Sequence, residues 1–302
     1  MLFGNRIIFP FYHLISDGAC PHIRHLYTVK SISQFEKELD FFQKNFQAIS
    51  LQEILNHIKN NTKPERASFF LSFDDGLKEC HTIIKPILKK RKLKAAFFLN
   101  TAFVNNQALF YRYKVSLLIE QLEKTNSNSD YSKNELLQIG YEDTEKINQI
   151  AGELNFDFKQ YLETEKPYMD WAEIQELKAD GFYIGAHSVD HPLYSRLSLE
   201  EQIYQTKKSI EEVENKLKTD NRIFSFPFTD DGVSSEFFKT IFDENIATLT
   251  FGTAGIKDDT YSRNLQRLPM DNCTNDIRIF VMKNFLAYYL KKLSGRQKVL
   301  HP

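Results

Sequence analysis

Several large classes of protein are excluded by what this sequence lacks. Three cysteines, Cys20, Cys80 and Cys273, lie far apart, are odd in number and show no CxxC spacing. They suggest neither a disulfide framework nor a thiolate metal cluster, and buried or surface thiols are expected. An excess of charge is also missing: 39 basic side chains face 40 acidic ones, for a formal charge of −1. No bulk field would gather nucleic acid along a basic face, so no nucleic-acid partner is expected. No uninterrupted apolar stretch approaches the ~20 residues that an integral membrane span needs. The opening run MLFGNRIIFPFYHLIS is broken by Pro10 and His13 and has no small-residue cleavage site. It reads as a first strand rather than a secretory signal, and a reducing, cytoplasmic location is the expectation. Internal repeats and low-complexity tracts are absent as well.

What is present is enough for a sizeable core: 42% apolar residues, 26 of all residues being Phe, with 26% charged residues, an ordinary balance for a folded domain. The length exceeds a typical domain of ~100–150 residues, yet single α/β barrels run to ~200–250, and one insertion accounts for the rest. A single domain over residues 1–302 is therefore expected. Strand-like runs at residues 7–12, 67–73, 95–100, 182–186, 223–228, 246–251 and 265–268 alternate with helix-like segments. That alternation builds parallel sheets or barrels of seven or eight strands. Ser33 with Glu36 marks a helix start ahead of Phe35, Leu39 and Phe42. Asp170 caps a helix at Trp171 that Gly181 stops, and Ser198 with Glu201 opens a helix carrying Ile203, Ile210 and Val213 on one face. Residues 103–167 differ: polar, rich in Asn and Glu, helical around 115–122 and 144–154, without a strand signal. They are expected to form a helical insertion. A final helix over 277–293, with Phe285, Tyr288, Lys291 and Lys292, is assigned to core packing with a basic last turn, peripheral contact with a membrane being the alternative.

Two clusters carry the chemistry, and both end predicted strands, where α/β barrels assemble their sites. The first is SFDDG, Ser72 to Gly76; the second is HSVDH, His187 to His191. Two imidazoles with one carboxylate form a facial set that suits zinc or another borderline divalent metal and leaves positions for water and substrate. Adjacent aspartates at a strand end point in opposite directions, so one can ligate while the other works as a base. Alone, Asp-Asp-Gly is good turn chemistry. A second copy, Asp230, Asp231 and Gly232, is read that way.

SFDDG followed by HSVDH resembles the first two signature motifs of the polysaccharide deacetylases, the NodB-homology carbohydrate esterases. The resemblance covers roughly residues 7–271 apart from the insertion. It implies a distorted (β/α)7-8 barrel, one divalent metal ion, zinc, and an N-acetylated carbohydrate as substrate. It further implies Asp74 as general base and Asp75, His187 and His191 as metal ligands. The FPF at Phe226 to Phe228 is similar to the third motif, which assigns Phe228 a main-chain role toward an oxyanion.

The departures are as specific as the matches. Where the family's third motif commonly carries an arginine, this chain has Ser225, and Arg267 on a later strand is the candidate replacement as partner of Asp74. The family's late leucine-x-histidine motif is absent, since the only histidine after His191 is the penultimate His301. The proton donor to the leaving amine is therefore open. His13, at the end of the first strand, is one candidate; Asp74 returning the proton it has taken, with His13 assisting, is the expectation. His22, His25 and His81 are assigned to the surface. Hydrolysis of a non-sugar linear or cyclic amide, or an impaired glycan-binding homologue, are the alternative functions.

Overall fold

The computed structural model describes residues 3–125, 131–274 and 276–302. Its centre is an eight-stranded sheet in the order Asn264–Gln266, Leu249–Gly252, Ile223–Ser225, Tyr183–Ala186, Ala95–Leu99, Leu71–Phe73, Pro10–Tyr12 and Leu268–Pro269. Every pairing is parallel. The two outermost strands are separated in sequence by Arg267 alone, so the sheet nearly closes into the expected barrel. Arg267 sits in the closing stave: its N–H donates to Gly252 O at 3.2 Å and the next residue's to Phe9 O at 2.9 Å.

The strands read as continuous apolar runs because both faces are covered. All five residues of Ala95–Leu99 are buried. Ala96 and Phe98 join Phe70, Ile223, Leu249 and Phe251 in one cluster, while the alternate Phe97 and Leu99 belong to the larger core under the helices. This is the period-two alternation of an extended chain. Gly185 is required here, because a Cβ at that position would meet the Phe98 ring at 2.6 Å.

The helix expected to start at Ser33 starts earlier. Its cap is Ser31, whose Oγ accepts from Gln34 N–H while the Gln34 side chain bonds back to Ser31, and the helix runs Ile32–Asn45. Gln fills the reciprocal position as well as Glu does, leaving Glu36 3.8 Å from Arg91. Asp170 and Ser198 cap their helices as expected. The strand expected over 223–228 ends at Ser225; the Phe226 N–H still donates to Phe251 O at 3.0 Å, and the chain bends at Pro227 and Phe228. Between the strand Ala95–Leu99 and the helix Trp171–Ala179, the longer elements among the described residues are the helices Tyr111–Thr125, Lys133–Leu137, Thr144–Glu153 and Phe158–Glu165. Val115, Leu118, Leu136, Ile147 and Ile150 give this segment a core of its own. The opposite face of its first helix, with Tyr113 and Leu117, packs on Leu14, Ile23 and Leu77.

Candidate active site

Asp74 and Asp75 follow the strand Leu71–Phe73 directly, and His187 follows Tyr183–Ala186 two strands away. Both motifs thus emerge at the same carboxyl end of the barrel. The backbone is bent hard there. Asp75, Ser188, His191 and Phe228 all have left-handed φ, at 71°, 68°, 66° and 57°, a conformation that costs non-glycine residues free energy and concentrates at functional sites. In HSVDH the bend is held locally: Ser188 Oγ accepts from His191 N–H at 3.0 Å, and the Asn100 side chain donates to His187 O. Asp190 accepts from Gln205 at 2.8 Å and from the Tyr141 hydroxyl at 2.7 Å.

The result is a buried triad. His191 Nε2 lies 3.3 Å and His187 Nε2 3.6 Å from Asp75 Oδ1, and ligand atoms of all three residues fall within 4.8 Å of one another. Each is oriented from behind. The Nδ1–H of His187 donates to Ser225 O at 2.8 Å, which leaves the Nε2 lone pair facing the other two residues. Tyr113 OH donates to Asp75 Oδ2 at 2.7 Å, which leaves Oδ1 free. His191 is held between the rings of Phe110 and Phe228, at 4.2 and 4.6 Å. Burial lowers the pKa of His187 to about 4, so it is neutral at pH 7. Burial pushes the Asp75 carboxyl up, but the neighbouring imidazole of His191, together with His13 and His187, outweighs it and holds it well below the usual range. Asp75 Oδ1 and His187 Nε2 are buried atoms without a hydrogen-bond partner among the described residues. Two unpartnered atoms, one from a carboxylate and one from an imidazole, with His191 Nε2 3.3 Å from the first, are what a divalent cation would satisfy, so the residues fit one.

Asp74 has a different environment. Arg267, fully buried, donates to both its oxygens at 2.8 Å. The same guanidinium donates to Ser225 Oγ at 2.5 Å and Ser72 Oγ at 3.1 Å, and lies 4.1 Å over the Phe11 ring. Ser225 therefore joins the network at the position where the family's arginine commonly stands. Burial raises the Asp74 carboxyl, and Arg267 more than offsets it, keeping the group ionised. A forked cation on a carboxylate also fixes its orientation.

Across the cleft lies His13, hydrogen-bonded through Nδ1 to Asp271. Burial depresses its pKa, but the Asp271 carboxylate outweighs this and lifts it to about 9. A cleft of about 400 Å³ is lined by His13, Tyr27, Asp74, Asp75, Phe110, Arg112, Tyr113, His187, His191, Phe228, Thr253 and Asp271, with others. All seven residues singled out from the sequence, His13, Asp74, Asp75, His187, His191, Phe228 and Arg267, come together here, Arg267 from beneath the floor. Sequence reading missed Asp271, Tyr113 and Asn100. Asp271 is 258 positions from its partner and carries no local signal.

Of the three histidines assigned to the surface, His81 is part-exposed beside Glu176, whereas His22 and His25 differ from expectation. His22 is buried and bonded to Tyr161 OH at 2.9 Å, its pKa lowered to about 4 by burial. The His25 side chain is 4% exposed and pairs with Glu120. Both are covered by the helix Tyr111–Thr125 and its neighbours, whose docking the local sequence does not announce. No disulfide joins the three cysteines among the described residues, and all three are buried. Asp230 is a buried anchor, accepting from Asn264 at 2.8 Å, Gln266 at 2.5 Å and Thr253 N–H at 3.2 Å, which accords with a turn-holding role.

A nearly closed parallel barrel with a buried Asp-His-His group at its carboxyl end defines a class of hydrolytic site. The polysaccharide deacetylase family model matches residues 61–239, more than half of the chain, and the chain belongs to that family. Three solved structures share its fold. The deacetylase PplD of Streptococcus pyogenes, in complex with acetate, is 16% identical, with a TM-score of 0.57 and coverage of 88% of this chain and 92% of that one. A de-N-acetylase from Aggregatibacter actinomycetemcomitans gives 16%, 0.61, 91% and 99%. IcaB from Ammonifex degensii gives 15%, 0.60, 93% and 96%. No curated protein matches the chain.

Proposed function

We propose that this chain hydrolyses N-acetyl groups on a glycan or glycan precursor, releasing acetate and leaving a free amine. The observation that carries the proposal is the convergence of Asp75, His187 and His191 on one point, with an ionised carboxylate, Asp74, on one side and the His13–Asp271 pair on the other. Asp75, His187 and His191 would hold one divalent ion, zinc by the donor set. Bound there, such an ion supplies Lewis-acid polarisation of the acetyl carbonyl and acidifies water. Asp74, clamped by Arg267, accepts the proton of the attacking water. The Phe228 main-chain N–H donates to the oxyanion that develops. His13, protonated at neutral pH and oriented by Asp271, delivers a proton to the departing nitrogen. This reverses the expectation that Asp74 returns its proton with His13 only assisting: a protonated imidazole beside its own carboxylate is a donor already in place.

Acetate release from N-acetylhexosamine oligomers, measured beside small non-sugar amides, tests the proposal. Acetate from the oligomers that falls ~10²–10⁴-fold in Asp74→Asn, with folding and metal retained, supports it. Turnover of the non-sugar amides alone, or undiminished activity in Asp74→Asn, overturns it.

A further inference from the structure

The helix Ile277–Leu293 is apolar on two faces. Val281, Phe285 and Tyr288 are buried in the main core, as the core-packing reading requires. Beside them Ile279, Met282, Leu286, Tyr289, Leu290 and Leu293 are exposed by 52, 48, 60, 39, 57 and 87%. At ~100° per residue these six fall on one stripe covering about 100° of the helix surface, the width by which helices bury a face. Water-facing stripes of this size signal an interaction site. Phe3 and Tyr289 deepen it into a groove with few polar atoms.

The surrounding charge identifies the partner. From Ile277 to Pro302 the chain has six Lys or Arg residues and no Asp or Glu, although the whole chain is balanced. Lys283, Lys291, Lys292, Arg296 and Lys298 are exposed, and none of them forms an ion pair among the described residues. Lys283 lies beside the stripe, and Lys291, Lys292, Arg296 and Lys298 gather at the helix's C-terminal end and beyond it. An apolar stripe with unpaired cations at its side and end complements an anionic, apolar-cored surface, which describes a bilayer of acidic lipids. No helix among the described residues is long and apolar enough to cross a membrane, so the helix would lie in the interface plane.

We propose that the helix Ile277–Leu293 and the basic tail after it dock this enzyme on an anionic lipid surface, the stripe entering the headgroup–acyl boundary and the cations meeting lipid phosphates. This goes beyond the proposed hydrolysis and does not depend on it. Co-sedimentation of the full chain with vesicles of phosphatidylcholine, and of phosphatidylcholine mixed with phosphatidylglycerol, tests it. Binding to the mixed vesicles is expected to be salt-sensitive and to fall ~10-fold or more in Leu286→Ser/Leu290→Ser and in Lys291→Glu/Lys292→Glu. All four side chains are exposed, so thermal unfolding should not change. Equal binding to both vesicle types, binding unaltered in both variants, or no binding overturns the proposal. So does a wild-type dimer in sedimentation velocity that Leu286→Ser/Leu290→Ser dissociates, because the stripe would then belong to a second copy.

Discussion

The two walls of the cleft are built differently. One consists of strand ends: Asp74, Asp75, His187 and, through its carbonyl, Ser225 come from three strands of one sheet, and Arg267 ties Asp74 to Ser225 from the closing stave. The other joins one strand end, His13 after Pro10–Tyr12, to excursions from the barrel: Tyr27 on the first loop, Tyr113 on the helix Tyr111–Thr125, and Asp271 after the strand Leu268–Pro269. The first wall is tied to neighbouring strands: the Asp74 N–H donates to Tyr12 O at 3.0 Å and the His187 N–H to Leu99 O at 2.8 Å. The second depends on the docking of segments far apart in sequence. On the proposed function, the groups that would hold the ion sit on the first wall, and those that would tune or complete the chemistry sit on the second.

The sharpest way to break this division is to remove the proposed donor on the second wall. His13→Ala is expected to lower turnover by ~10²–10⁴-fold, the cost of a lost general acid, with metal content and folding intact. A loss of only ~10-fold would return the donor role to Asp74. Next in size is a lesion in the first wall. Arg267→Met leaves the Asp74 carboxylate buried and unpaired, which costs about 3–5 kcal/mol; denaturant unfolding should show it, and adding Asp74→Asn should recover part of it. Wild-type stability in the single variant would contradict the role given to this pair. Smaller again is the link between the walls. Tyr113→Phe removes the hydroxyl that orients Asp75 and should weaken metal affinity by ~10–100-fold, read by competition with a chelator, without loss of fold.

The sequence made the two walls legible to different degrees. SFDDG and HSVDH are local strings, and strand ends of a parallel barrel must gather at one face, so the first wall followed from spacing and alternation. Even its departure was traceable, because Ser225 in place of an arginine pointed to the other late-strand arginine, and Arg267 lies on Asp74. The second wall was only half legible. His13 was visible as a histidine ending a strand, but its partner Asp271 sits in an ordinary Leu-Pro-Met-Asp run with no periodic cue. Tyr113 lies in a segment whose helicity could be read but whose docking could not. The same docking buries His22 and His25 against expectation. Burial that depends on tertiary contact leaves no trace in a local pattern.

The smallest predicted effect concerns pH. His13 is protonated below about 9, so activity should fall on the alkaline side as it loses that proton. Asp271→Asn removes the main influence holding the pKa up, and the burial that remains favours the neutral ring. The alkaline limb of the kcat/KM profile should therefore move toward neutral pH. An unmoved limb would show that another group sets it.

The central claim is that Asp75, His187 and His191 hold the ion on which hydrolysis depends. Elemental analysis of the purified protein, in wild type, His187→Ala and His191→Ala, tests it most directly. The account predicts about one divalent metal per wild-type chain, zinc by its donor set, and loss of it in both variants. Equal metal in all three proteins would contradict it.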